Sequence, residues 1–207
     1  KMIFLANPNN PTGTFTPGAE LQAFVKQVPA RVLVVLDEAY CEYLNEADVY
    51  DSVPWLADFP NVIISHTLSK AYGLAGLRIG FGLAHPQLID LMNRVRQPFN
   101  VNHLAMVAAV AALGDADFIR ESRRVNNAGL SLLKAELAKR KLATIPAFGN
   151  FITVEINNAK RVFESLLSQG VIVRPKAGDG LPNDLRVTMG TEEKKRRLLA
   201  ELHKARG

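Results

Sequence analysis

The chain has 207 residues, 48% of them hydrophobic, with a formal net charge of +5; this is the composition of an ordinary soluble globular protein, long enough for one large or two small domains. A single cysteine, Cys41, excludes an internal disulfide framework and fits a reducing, cytoplasmic compartment, and its place after Asp37 and Glu38 is a poor setting for a reactive thiolate. The longest apolar run, residues 104–113, is too short and alanine-rich to span a bilayer and reads as a buried helix, while the densest cation cluster, residues 194–197, follows two acids and has no aromatic residues beside it, so neither a membrane nor a nucleic acid is expected as a partner.

Residues 2–6 read as a strand with which the chain opens, without the usual preamble of a domain, so a piece of a longer protein is expected. Asn7-Pro8-Asn9-Asn10-Pro11-Thr12-Gly13 is a cluster of turn formers that must end this strand, and its Asn-Pro bonds are candidates for the cis form. The spacing predicts a helix with Thr16 as N-cap and Pro17 in its first turn, running to Gln27. Residues 32–36 are continuously aliphatic and read as a parallel strand buried on both faces, stopped by Asp37-Glu38-Ala39-Tyr40. A link through Trp55 and Phe59 leads to a further strand at 61–65. Strand, helix, strand, link and strand in this order indicate a doubly wound, mostly parallel α/β sheet, in which ligands bind outside the carboxyl ends of the strands. Three such ends deliver Asn10, Asp37 and Lys70.

Residues 78–84 read as a fourth strand whose glycines suit close backbone approach, and helices are expected at 86–96 and 102–113. Apolar residues at helical spacing across 115–140 mark a long connecting helix. The pattern then changes: a half-buried strand at 151–156, an amphipathic helix at 159–169 stopped by Gly170, a short strand at 171–173, a loop at 175–182 and a strand at 185–189. Thr191 caps a final helix with Leu198, Leu199 and Leu202 as its apolar stripe. The expected division is therefore a domain at 1–115 carrying the strand-end residues and a small α+β domain at 116–207.

The strand ends point to one chemistry. In Ser65-His66-Thr67-Leu68-Ser69-Lys70-Ala71-Tyr72-Gly73-Leu74-Ala75-Gly76-Leu77-Arg78 a lysine lies between hydroxyls and an arginine. A lysine can form a Schiff base with an aldehyde, and hydroxyls with a guanidinium can hold the phosphate that the aldehyde carries. That combination suggests pyridoxal phosphate, whose other demands can be met as well. Asp37, at what reads as a buried strand end, can keep the pyridine nitrogen protonated; Asn10 and Tyr40 can donate to the phenolic oxygen; Thr67, Ser69 and Arg78 can hold the phosphate; and Ala39 offers a small, flat neighbour for the ring. No metal is expected.

The stretches N-N-P-T-G, D-E-A-Y and S-H-T-L-S-K-A-Y-G-L-A-G-L-R-I-G resemble the motifs of the aspartate-aminotransferase fold family, the fold type I pyridoxal-phosphate enzymes. Residues 185–191, L-R-V-T-M-G-T, are similar to that family's C-terminal stretch, so the resemblance covers nearly the whole chain. It implies that Lys70 is the catalytic lysine, that 1–115 is the C-terminal part of a cofactor-binding large domain, and that Arg186 and Arg174 hold the anionic end of the substrate. Within the family the chain most resembles the branch that moves the amino group of L-histidinol phosphate to 2-oxoglutarate, as a cytoplasmic homodimer. An aromatic aminotransferase, a threonine-phosphate-type decarboxylase and a non-catalytic cofactor-binding or sensor domain remain as alternatives. The same resemblance implies that a ring-stacking aromatic residue and a tyrosine from the partner subunit come from outside these residues.

Overall fold

The computed structural model describes residues 1–206, so Gly207, the last residue of the expected second domain, lies outside the described residues. The chain forms two compact units, one of Lys1–Pro8 with Phe15–Arg123, the other of Asn9–Thr14 with the chain from Arg124 onward. The division falls eight residues beyond the expected 115/116 boundary, and the turn-rich loop near the N-terminus belongs to the second unit.

In the first unit, β1 (Met2–Ala6), α1 (Gly18–Gln27), β2 (Leu33–Asp37), the short α2 (Trp55–Asp58), β3 (Val62–Thr67) and β4 (Gly80–Ala84) follow in chain order. The sheet order is β1-β2-β3-β4, with the first three strands parallel and β4 antiparallel to β3. Val34 pairs with Val62 and Leu36 with Ile64, and these four are fully buried against Leu21 and Val25 of α1 and against Trp55. Leu33 and Val35, on the opposite face of β2, remain half-buried, so the strand is not sealed on both faces as its aliphatic run suggests. Pro17, not Thr16, precedes α1, because the backbone of Thr16 is held on both sides by the side chain of Asn7, at 2.8 and 2.9 Å.

The helices α3 (Pro86–Val95) and α4 (His103–Leu113) follow, and the side chain of Asn102 caps α4. The expectation that 104–113 forms a buried helix is corrected: only Ala105 and Ala109 are buried, whereas Leu104 and Val110 are each 76% exposed. A helix apolar on all sides offers no single face for one neighbour to cover, and within this unit only its alanine stripe is covered.

The long helix α5 (Ala116–Lys139) runs through the division at Arg123. The second unit continues with β5 (Phe151–Glu155), α6 (Ala159–Ser168), β6 (Arg174–Lys176), β7 (Leu181–Thr188) and α7 (Glu192–Arg206), its antiparallel sheet ordered β5-β7-β6. Leu133, Leu137, Ile152, Leu166, Leu185 and Leu202 are among its fully buried core side chains. Three expectations shift here. Residues 171–173 do not form a strand, because Gly170 at positive φ and the Val171 N–H bonded to the Leu166 carbonyl keep them within the helix stop. Pairing begins at Arg174 instead, and the expected loop 175–182 contributes to two strands, with Pro175 tolerated because β6 is an edge strand. β5 is buried on both faces up to Val154, since Thr153 satisfies its hydroxyl on the Pro11 carbonyl at 2.8 Å.

Candidate functional site

The first unit presents its polar chemistry where β2 and β3 end. Asp37 closes β2, opposite Ser65, and its Oδ1 accepts from the Ala39 N–H at 3.1 Å, which turns the chain out of the sheet. The turn Cys41–Tyr43 follows, closed by the Cys41 N–H on the Glu38 carbonyl and the Tyr43 N–H on the Tyr40 carbonyl. Tyr40 is buried within it, with its ring 5.5 Å from the Lys70 Nζ. Asp37 itself is exposed, which corrects the expectation of a buried strand end: the residue lies past the last buried pair, Leu36 and Ile64.

β3 ends at Thr67, whose Oγ1 accepts from the Ser69 N–H at 3.1 Å. The loop beyond is pinned from below by Leu68 and Ala71, both fully buried, and closed by the Leu74 N–H on the Leu68 carbonyl. Lys70 therefore stands exposed on an anchored loop. Arg78 precedes β4 rather than opening it, in a left-handed conformation (φ 54°, ψ 47°) that costs a non-glycine residue about 1 kcal/mol or more. Its Nη1 donates to the Ala75 carbonyl at 2.8 Å and reaches the Ser69 Oγ only at 3.5 Å, so the guanidinium is aimed but not saturated. Gly80 lets β4 approach: a Cβ there would stand 2.5 Å from the His66 carbonyl oxygen. An exposed amine between two hydroxyls and an unsaturated guanidinium, beside a carboxylate and a phenol, suits a phosphorylated aldehyde with an aromatic ring.

Beneath this shelf lies a charged cluster that residue spacing did not reveal. On the face shared by Leu36 and Ile64, β2 leads on to Glu38 and β3 to His66. His66 Nε2 is 3.3 Å from Glu38 Oε2, while Nδ1 is 3.8 Å from Glu42 Oε1 and 3.6 Å from Cys41 Sγ, and the ring stacks on Phe81. Acceptance by Cys41, Glu38 and Glu42 pushes the His66 pKa far above its ordinary value, against the opposing effect of burial. Burial lifts the Cys41 thiol to about 11, in line with its expected inertness. The visible signal was the alternation of acids, Glu38 and Glu42, with a histidine inside the lysine motif.

The second unit brings together Asn10, Arg174 and Arg186. Arg186 on β7 lies directly opposite Arg174 on β6 and opposite Thr153 on β5. Its guanidinium lies 5.0 Å from the Phe151 ring centroid and donates to the Asn10 Oδ1, which leaves the Asn10 amide as a donor. Its Nε is buried without a partner among the described residues. Two arginines directly opposed on neighbouring strands repel one another, and an unsatisfied donor adds to that cost, so the pair is suited to an anion that both can bind. The sequence separates these arginines by a register that shifts at Pro175, which explains why spacing alone did not pair them.

The donor sets and the fold define a class. The chain belongs to the aminotransferase class I and II family, whose profile matches residues 1–202. It is 52% identical over 203 residues to histidinol-phosphate aminotransferase 1 of Nitrosococcus oceani, covering 98% of this chain and 55% of that protein. It is likewise 52% identical over 205 residues to histidinol-phosphate aminotransferase 2 of Pseudomonas fluorescens, covering 99% of this chain and 55% of that protein. Among solved structures, histidinol-phosphate aminotransferase of Sinorhizobium meliloti in complex with pyridoxal-5'-phosphate superimposes with a TM-score of 0.92 at 32% identity, over 99% of this chain and 56% of that one. The chain thus spans about half the length of the relatives it matches. The mostly parallel α/β sheet expected from sequence agrees with this fold.

Proposed function

We propose that this chain is the part of a pyridoxal-phosphate-dependent aminotransferase that carries the catalytic lysine, and that the protein moves the amino group of L-histidinol phosphate to 2-oxoglutarate as a cytoplasmic homodimer. The observation that carries the reading is the anchored loop that exposes Lys70 between Thr67, Ser69 and the unsaturated guanidinium of Arg78. Asp37 would pair with the pyridine nitrogen, Tyr40 and the Asn10 amide would donate to the phenolic oxygen, Ala39 would offer the ring a small neighbour, and Thr67, Ser69 and Arg78 would take the phosphate. When bound, the cofactor supplies an electron sink for the electrons left as the donor loses a proton.

The protein's share is proton transfer and charge placement. Lys70 Nζ would hold the cofactor's aldehyde in the resting enzyme and, when its amine is free, would be the base that takes the proton from the donor carbon. Arg174 and Arg186 bind the phosphate of the donor and the carboxylate of the acceptor in turn, which relieves the repulsion between them. The high identity to histidinol-phosphate aminotransferases favours this donor over those of other family members. The test is glutamate formation from L-histidinol phosphate and 2-oxoglutarate by the full-length protein, with and without Lys70→Ala. Release of carbon dioxide from a phosphorylated amino acid without glutamate would replace the transaminase by a decarboxylase.

A further inference from the structure

The Glu38, Cys41 and His66 side chains lie within 4.8 Å of one another, a spacing that suggests a metal ion. The geometry argues against it. Glu38 approaches His66 at Nε2, whereas Cys41 and Glu42 approach at Nδ1. An ion sits on the lone pair of one ring nitrogen, so a single ion cannot take Glu38 and Cys41 through the same imidazole.

What the arrangement favours is a proton on each nitrogen. Glu38 stands at Nε2 and Glu42 beside Nδ1, so a carboxylate faces each side of the ring and only a doubly protonated imidazole offers a proton to both; Cys41 Sγ, also beside Nδ1, can accept or donate. We propose that His66 is a cationic bridge which ties Glu38 and Glu42 to β3 and, because those acids flank Tyr40, positions the Asp37–Tyr40 turn beside the Thr67–Lys70 loop. It is a positioning residue, and the inference rests on the cofactor reading given above.

Three observations support it. Glu38 and Glu42 stand two residues before and two after Tyr40, so fixing both carboxylates fixes the turn that carries its ring. The bridge lies on the face continued from Leu36 and Ile64, while Asp37 and Thr67 alternate to the other, so it supports the shelf without occupying it. Glu38 Oε1 and Glu42 Oε2 are buried without partners among the described residues, an arrangement that adds little stability and points to geometry as what it secures.

The test separates charge, position and cofactor reading. Long-range proton–nitrogen spectra of the histidine-labelled chain should show both His66 nitrogens protonated from about pH 6 to about pH 9; a neutral ring at about pH 9 overturns the bridge. His66→Gln should weaken pyridoxal phosphate binding, read from its absorption spectrum, by about tenfold. His66→Arg, whose planar fork can meet two carboxylates, should recover most of that loss, and Glu42→Gln should fall between. Wild-type affinity in His66→Gln, or no recovery in a folded His66→Arg, overturns the positioning role. If the wild-type full-length protein shows no cofactor spectrum at all, the cofactor reading fails and takes the positioning role with it, while the nitrogen spectra still decide the charge state.

Discussion

The two sheets carry their polar chemistry in different ways. In the first unit the proposed cofactor residues stand at the strand ends and on the turns just beyond them, which Leu68, Ala71 and the His66 bridge pin, and the strands beneath are plain scaffold. In the second unit Arg174 and Arg186 lie within the strands, and the ladder itself makes them neighbours. The cores differ too. The second unit encloses a broad apolar cluster from Leu130 to Leu202, whereas the first buries a narrower one and leaves Phe4 71% exposed on β1, with much of α4 uncovered. A strand-end site needs firm anchors close by; an in-strand site needs correct register and a sound core.

The sharpest way to break this comparison is Lys70→Ala, which removes the proposed base from an exposed loop. Activity of the full-length protein should fall by about a thousandfold or more while thermal stability stays within about 0.5 kcal/mol; a matching loss of stability would show that the loop depends on its lysine. Next is Leu133→Ala in the second core, expected to cost about 2–5 kcal/mol in denaturant unfolding. By contrast Val110→Asn, on the uncovered side of α4, should change the stability of this chain by no more than about 0.5 kcal/mol, and a larger loss would mean that α4 is covered in solution.

Arg186→Lys keeps the charge but loses the fork on Asn10 and the anion. A rise in KM of about 10- to 100-fold for the phosphorylated donor, with a smaller effect in Arg174→Lys, would sharpen the in-strand half of the comparison. Equal effects would make the two arginines equivalent clamps.

The pH profile probes the anchor of the first unit. His66 has a folded pKa above its unfolded value of about 6.5, because Cys41, Glu38 and Glu42 accept from its ring. The folded state then holds a proton that the unfolded chain releases, so this contribution is complete below about pH 6.5 and declines as pH rises towards the folded value. Cys41, Tyr50 and Tyr72, each raised by burial, act in the same direction at higher pH. Urea midpoints should fall between about pH 6 and about pH 9, and the slope should flatten in His66→Gln.

How legible each region was follows from the same contrast. Lys70, Thr67, Ser69 and Arg78 could be read because one local stretch holds them all, and β2 and β3 could be read from their aliphatic runs. The start of α1 could not be read correctly: the sequence places its cap at Thr16 instead of Pro17, because nothing local shows that Asn7, nine residues away, holds the Thr16 backbone. Nor could the Arg174–Arg186 pairing, which depends on a bulge at Pro175, or the His66 bridge, which depends on two strands placing Glu38 and His66 on one face. Local chemistry was visible; partnership across strands was not.

Gly80 shows what this means for variation. It has no reactive group and touches no proposed ligand, yet any side chain there meets the His66 carbonyl at 2.5 Å, backbone against which nothing flexible can yield. Substituting it displaces β4, and with it Arg78 two residues upstream and the ring of Phe81 on His66. A saturation scan scored by growth should therefore find position 80 nearly as intolerant as position 70, for reasons of clearance instead of reactivity.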